Sequence, residues 1–453
     1  MKKELLCMLL VSSLGCGQLD DVESTGAEKN HDEVVQTSQG PQALRETIME
    51  AGVYTPEPGD VKSFQDPLVQ LGQKLFFDKI VSGGSDISCA TCHHPSFGTS
   101  DGLPTSIGVG GAGVGPARAV ETEAPVIPRN SPDIFNRGVE LWTTMFWDAR
   151  VSIGDIYFDS PAGPALPESL DSVLAVQAMF PPTSSHEMRG LAGSNPVADV
   201  AKDDFEGIWT LLIDRILSID EYVELFAEAY PGVDTDELGF EHAAKAIAAF
   251  EVSAFTRLDT PFDRFLAGDD EALTAQEMYG AELFFGKGQC SSCHSGPLFT
   301  DQLTHALATP QLGPGKSDDG FDRGRQLETG DESDAFAFRT PPLRNVELTG
   351  PYMHAGTYET LEGAIEHHID PDHALINYTG EHLDETFQAQ LMEDEGFFAL
   401  VIEKLDPALE GCGTVQQEEV SALAAFLRTL TDDSARDMSE IVPTEVPSGL
   451  SIF

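Results

Sequence analysis

The chain runs to 453 residues, of which 41% are hydrophobic, enough for two or three ordinary cores. Its 76 acidic against 26 basic side chains give a formal net charge of −50, which excludes nucleic acid as a partner and suits a saline surrounding or a basic protein partner. No segment of the mature chain reads as a membrane span.

Lys2 and Lys3 precede an apolar run from Leu5 to Leu14, too short to cross a bilayer and shaped like an export signal. Gly15-Cys16 stands where a lipoprotein signal places its cysteine, although Ser13 and Leu14 depart from the usual pattern. Residues 1–16 are therefore read as a lipoprotein-type signal with Cys16 as the lipidation site. That places the protein in the periplasm, held to the outer membrane by the lipid anchor alone. Residues 17–45 are polar, acidic and poor in aromatics, and are predicted to form a disordered linker.

Next, Leu71-Gly72-Gln73-Lys74-Leu75-Phe76-Phe77 leads into Cys89-Ala90-Thr91-Cys92-His93. Two cysteines at this spacing reach the two vinyl groups of one porphyrin, and the histidine beside them lies beneath the iron, so the pattern points to covalent c-type haem. Far downstream, Tyr279-Gly280-Ala281-Glu282-Leu283-Phe284-Phe285 leads into Cys290-Ser291-Ser292-Cys293-His294, and Phe97 to Asp101 is echoed by Phe299 to Asp301. A redox or zinc Cys pair would explain one copy, but not two in matching flanks. The chain thus holds two copies of one haem-binding unit, and two haem c groups. Leu75, Phe76, Leu283 and Phe284 are expected to end helices that pack against each haem.

Helical periodicity is clear over residues 240–255, 362–368 and 420–430, strand signals are sparse, and 42 glycines with 28 prolines imply long ordered loops. The expected fold is mainly α, with two cytochrome c-like haem domains at residues 46–262 and 263–453, and a tail after Thr431 wrapping the surface. Of seven cysteines, Cys7 falls in the signal, Cys16 takes lipid and four hold haem. Cys412 is left as a structural thiol of low reactivity.

Around the haem motifs stand Arg129-Asn130-Ser131-Pro132, Phe146-Trp147-Asp148-Ala149-Arg150, Glu187-Met188, Thr340-Pro341-Pro342-Leu343-Arg344-Asn345 and Pro351-Tyr352-Met353-His354-Ala355-Gly356. With these landmarks the chain, from about Pro67 to Leu430, resembles the bacterial di-haem cytochrome c peroxidases and the related MauG-type enzymes. The resemblance implies reduction of hydrogen peroxide to water at the first haem. Electrons would come from a small cytochrome or cupredoxin through the second. It also implies an alternative, a MauG-type oxidase in which peroxide-derived oxidising equivalents attack residues of a partner protein. A plain electron carrier is a third reading, and a homodimer is compatible with all three.

The resemblance further implies a role for Glu187 in moving a proton between the peroxide oxygens, with Gln177 assisting. It implies Trp147 as an electron relay between the haems, although a core tryptophan joining two domains fits the same position. The family's resting peroxidases carry a distal histidine in a Ser-Ile-Gly-His stretch. Here the stretch reads Ser106-Ile107-Gly108-Val109, so the haem above His93 is expected to be open without activation, with His94 facing the surface. For the second haem, bound by His294, the family's sixth-ligand position falls on His368 rather than the usual Met or Tyr. That predicts a bis-His, low-spin site, with His367 and Met353 as weaker rivals. The family's calcium ion maps onto Asn130, Thr349 and Pro351, whose oxygens suit a hard cation.

Overall fold

Pro67–Phe77, preceded by an Asp66 side chain that caps Leu68 N, packs along Phe240–Phe255, and Ala275–Phe285, opened by a Thr274/Glu277 capping box, packs along Val420–Arg428. These two pairs are the duplicated unit seen in the sequence. The equivalence extends to the contact itself. A Cβ on Gly72 would fall 1.8 Å from the Ala246 carbonyl oxygen and 2.9 Å from Phe250 Cβ; on Gly280 it would fall 1.9 Å from the Ala422 oxygen and 2.8 Å from Phe426 Cβ. Only glycine lets the paired backbones approach this closely. The helices predicted over 240–255, 362–368 and 420–430 are observed as Phe240–Phe255, Leu361–Ile369 and Val420–Arg428.

The computed structural model describes residues 37–120 and 126–453, so the predicted signal, Cys16 and linker residues 17–36 lie outside the described residues. Strands are short, as expected: a hairpin of Gly111–Ala112 with Ala119–Val120, a three-stranded meander of Thr144–Met145, Val151–Ile153 and Phe158–Asp159, and a pair of Thr304–Ala306 with Ala337–Arg339. The fold is mainly α with long irregular connections.

Among the described residues the two main hydrophobic cores, accompanied by two smaller clusters around Leu312 and Phe397, do not respect a linear cut at residue 262. Leu44, Ile48 and Val53 sit in the core built by the second repeat, while Ala435, Met438, Ile441 and Val446 sit in the core built by the first. The linker expectation is therefore corrected at its end. Pro41–Glu50 is a helix, and Ser38 N and Gln39 N donate to the Glu282 carboxylate at 2.9 and 2.8 Å. The tail does more than wrap the surface. Gln73 Nε2 donates to the Ile441 carbonyl at 2.8 Å and Ser448 Oγ to Asp78 Oδ1 at 2.6 Å. Its last residue, Phe453, covers His94 with ring centres 4.8 Å apart, so His94 is buried rather than surface-facing.

Candidate active site

Ser88 opens the helical turn Cys89–Cys92 with a capping box, and both cysteines line one cavity. At the end of that turn His93 donates Nδ1–H to the Thr99 carbonyl at 3.0 Å, fixing the neutral tautomer that leaves Nε2 bare. Burial pushes its pKa down to about 4, which keeps the lone pair available. The second motif repeats the arrangement: His294 donates Nδ1–H to the Phe299 carbonyl at 3.1 Å, and it lines a second cavity with Cys290 and Cys293. Each space joins two thiols to one bare imidazole nitrogen, so the residues fit a covalently held haem.

Glu187, Gln177, Arg150 and Lys316 line the first cavity together with the cysteine motif, and His93 is the only histidine lining it among the described residues. Glu187 sits on a single wide π-turn, Ser185–Arg189, capped by Ser184 Oγ. Such turns recur at functional sites because they project a side chain that a regular helix would not. Burial raises the Glu187 pKa against the opposing pull of Arg150 and Lys316. The result is a carboxyl biased toward holding a proton inside an apolar-walled space.

The Ser106–Val109 stretch is the buttress of this turn. Val109 N donates to the His186 carbonyl at 3.1 Å, and a Cβ on Gly108 would fall 1.8 Å from that same oxygen. Arg118 pins the stretch from outside, with Nε to the Ile107 carbonyl at 2.6 Å and an Nη to the Gly108 carbonyl at 2.7 Å. Val109 itself is buried in the first core and does not line the cavity.

In the second cavity the His368 ring lies 6.4 Å from that of His294, centre to centre, close enough for the two to hold one iron between them. His368 donates Nδ1–H to the Ala364 carbonyl at 2.8 Å, which leaves its Nε2 free. The rivals differ. Both ring nitrogens of His367 are engaged, Nε2–H donating to the Leu307 carbonyl at 2.7 Å and Nδ1 accepting from the Tyr358 hydroxyl at 2.8 Å. Met353 lines the cavity from the loop before the helix rather than from the helix face opposite His294. Asn130, Thr349 and Pro351 share the wall of this cavity. Asn130 Nδ2 donates to the Leu103 carbonyl at 2.9 Å, so its Oδ1 is the oxygen left to offer a cation.

Trp147 lines both cavities, fixed by an Nε1–H bond of 2.9 Å to the Asn130 carbonyl. Its neighbour Asp148, fully buried, accepts from Arg129, Arg150 and Lys316 at 2.5, 2.9 and 3.3 Å, and Arg129 bridges on to Asp322 at 2.6 Å. Those cations hold the Asp148 carboxyl well below the usual range despite its burial. This network ties residues 129–150 to 316–322 around the tryptophan.

Sequence reading missed several groups. Arg339 lines both cavities with its guanidinium 5.9 Å from the Trp147 ring. Glu251 lines the first cavity, its Oε2 without a partner among the described residues, and burial raises its pKa to about 8. His305 lies against Cys293 with Asp301 and Asp406 on its two ring nitrogens at 2.9 and 2.5 Å. Hydrogen bonding, led by that to Asp301, raises its pKa to about 11. Cys412, read from the sequence only as a structural thiol, lines the second cavity in hydrogen-bond contact with Cys290. No local motif marks any of these, because each acquires its role through a distant partner.

A profile of the family described as di-haem cytochrome c peroxidase matches residues 66–271. The methylamine utilization protein MauG of Methylorubrum extorquens is 31% identical over 302 residues, 66% of this chain and 68% of that protein. The cytochrome c551 peroxidase of Pseudomonas aeruginosa is 33% identical over 297 residues, 65% of this chain and 70% of that one. Among solved structures, a MauG-like protein associated with microbial copper homeostasis superposes with a TM-score of 0.57 at 25% identity, covering 86% of this chain and 96% of that one. The diheme peroxidase BthA of Burkholderia thailandensis shares the fold, with a TM-score of 0.54 at 22% identity over 88% of this chain and 90% of its own.

Proposed function

The chain belongs to the di-haem cytochrome c peroxidase family, and from that premise we propose that it is an oxidoreductase reducing hydrogen peroxide to water. Two electrons and two protons per peroxide would yield two waters, the electrons entering by way of the second cavity from a small donor protein. When bound, haem would supply a peroxide-accessible iron in the first cavity and an electron-transferring iron in the second. Cys89, Cys92 and His93 would hold one group, and Cys290, Cys293, His294 and His368 the other.

The observation that carries this reading is that Glu187 lines the first cavity together with His93, with no second histidine on its wall among the described residues. Its raised pKa lets it hold a proton at the carboxyl oxygen and give it up to a departing oxygen, while Gln177 and Lys316 orient what lies between. Trp147, common to both cavities, is the group through which electrons would cross. Pinning of Ser106–Val109 by Arg118 argues that the first site needs no loop movement to open. Two haem lobes around the 46–262 and 263–453 segments, periplasmic location, and a calcium ion at Asn130, Thr349 and Pro351 belong to the same proposal. Among the described residues no helix is long and apolar enough to cross a membrane.

A MauG-type reading, oxidation of residues on a partner protein, is favoured specifically by Val109 in place of a distal histidine. Resting ferric protein examined by electron paramagnetic resonance before and after peroxide tests the common ground. One high-spin and one low-spin signal, the former consumed by peroxide without added reductant, is the expected result. Two low-spin signals indifferent to peroxide would overturn it. Peroxide-dependent turnover of a reduced donor then separates peroxidase from protein-oxidising enzyme.

A further inference from the structure

Four large apolar side chains left exposed fall on one stretch of surface: Leu141, Ile153, Ile156 and Leu303, at 41%, 52%, 99% and 62% exposure. Hydrogen bonds set their contiguity. Gln302 Nε2 donates to the Leu141 carbonyl at 2.8 Å, its Oε1 accepts from Thr143 N at 2.7 Å, and Ile153 N donates to the Thr143 carbonyl at 2.9 Å. Ile156 tops the turn between Val151–Ile153 and Phe158–Asp159. Grouped apolar exposure of this kind marks an interaction site, whereas single exposed residues do not.

The rim is acidic. Glu140, Asp155 and Asp159 are exposed, and segments 139–144, 151–160 and 300–304 hold no lysine or arginine. Trp142, between Leu141 and Thr143, is only 2% exposed and lies between two guanidinium groups, Arg137 at 4.1 Å and Arg339 at 5.1 Å from its ring centre. Arg339 in turn reaches the Trp147 ring at 5.9 Å. The patch therefore adjoins a line of side chains leading to the tryptophan shared by both cavities.

We propose that this patch docks a basic redox protein, with Leu141, Ile153, Ile156 and Leu303 forming the apolar contact, the acidic rim steering approach, and Trp142 the first interior group on the route by way of Arg339 to the second cavity. The proposal rests on the peroxidase reading, which requires an outside electron source. The exposed carboxylates of Glu140, Asp155 and Asp159, with no lysine or arginine among them, favour a basic partner, and an apolar centre within a charged rim is the anatomy of a transient electron-transfer interface. Each encounter passes one electron, oxidising the partner by one unit and leaving no covalent change.

The test uses the holoprotein with a reduced cationic c-type cytochrome as donor and, separately, ferrocyanide. Leu303→Ser and Asp155→Lys should each raise KM for the cytochrome about tenfold, Asp155→Lys flattening its salt dependence, while ferrocyanide turnover stays unchanged. Trp142→Phe should lower kcat with the cytochrome at unchanged KM. Equal KM values across wild type and the patch variants would overturn the proposal. So would a concentration-dependent dimer in sedimentation equilibrium that Leu303→Ser dissociates, since the occupant would then be a second copy. If wild type turns over neither donor, the peroxidase reading fails instead. Direct titration of the cytochrome onto wild type and Leu303→Ser then still decides docking, weakened binding supporting it and equal binding refuting it.

Discussion

Replacing His367 and His368 one at a time separates ligand from scaffold, although the two are neighbours on one helix. His368→Ala removes the free nitrogen facing His294, so the second haem should lose its low-spin signature. His367→Ala should leave that signature intact and cost stability instead. The imidazole is wholly buried, and its loss strands the Leu307 carbonyl and the Tyr358 hydroxyl. An orphaned buried acceptor costs about 1–3 kcal/mol. The void left by the ring adds about 1–2 kcal/mol, a large-to-small change at a site that collapses in part. The sum is about 2–5 kcal/mol, several degrees in Tm for a unit of this size. Electron paramagnetic resonance on the ferric variants, paired with thermal unfolding, reads both effects. A high-spin second haem in His367→Ala, or an unchanged low-spin signal in His368→Ala, would refute the assignment.

Glu187→Gln keeps the shape of the side chain but holds no exchangeable carboxyl proton, so peroxide cleavage followed by stopped flow should slow about 10²–10⁴-fold; an unchanged rate would remove Glu187 from the chemistry. Glu251 is raised from 4.5 to about 8, so between those values the unfolded chain releases a proton that the folded chain keeps, and stability falls as pH rises through that window. Glu251→Gln should flatten that slope in unfolding curves recorded at pH 5 and pH 8. Asp148→Asn leaves Arg129, Arg150 and Lys316 facing a neutral amide and should destabilise the protein by about 3–5 kcal/mol, measured by denaturant unfolding. Gly72→Ala and Gly280→Ala should each cost at least about 1–3 kcal/mol, since the added carbon has nowhere to go but into a carbonyl oxygen; equal stability by the same assay would contradict the shared helix contact.

The haem motifs and their duplication were legible because both are local: cysteine spacing and repeated flanks need no knowledge of the fold. Helix positions were legible for the same reason, the period along 240–255 giving Phe240–Phe255 to the residue. His368 came from the family's sixth-ligand position, which the resemblance placed on that helix. What separated it from His367 was the Leu307 carbonyl sixty positions away, which only the fold brings near. Burial of His94 was missed because its cover is the last residue of the chain. The cations that offset the raised pKa of Glu187 come from two separate segments, Arg150 and Lys316, neither within its own motif. Residues 41–45 read as linker on composition, yet the Pro41–Glu50 helix persists because Leu44 and Ile48 find a place in a core built far downstream.

The exchange of ends between the two cores bears on how the protein is made. Leu44, Ile48 and Val53 have no seat until the second repeat exists, and Asp78 waits for Ser448. Neither half can finish folding while the chain is still emerging, so the usual N-terminal-first order of assembly is closed to it. Both cysteine motifs would consequently stay accessible until the closing segments are made, an open interval in which haem could be attached to each. The clasp then shuts over the products, and a fragment ending before residue 435 would leave the first core with four apolar positions unfilled.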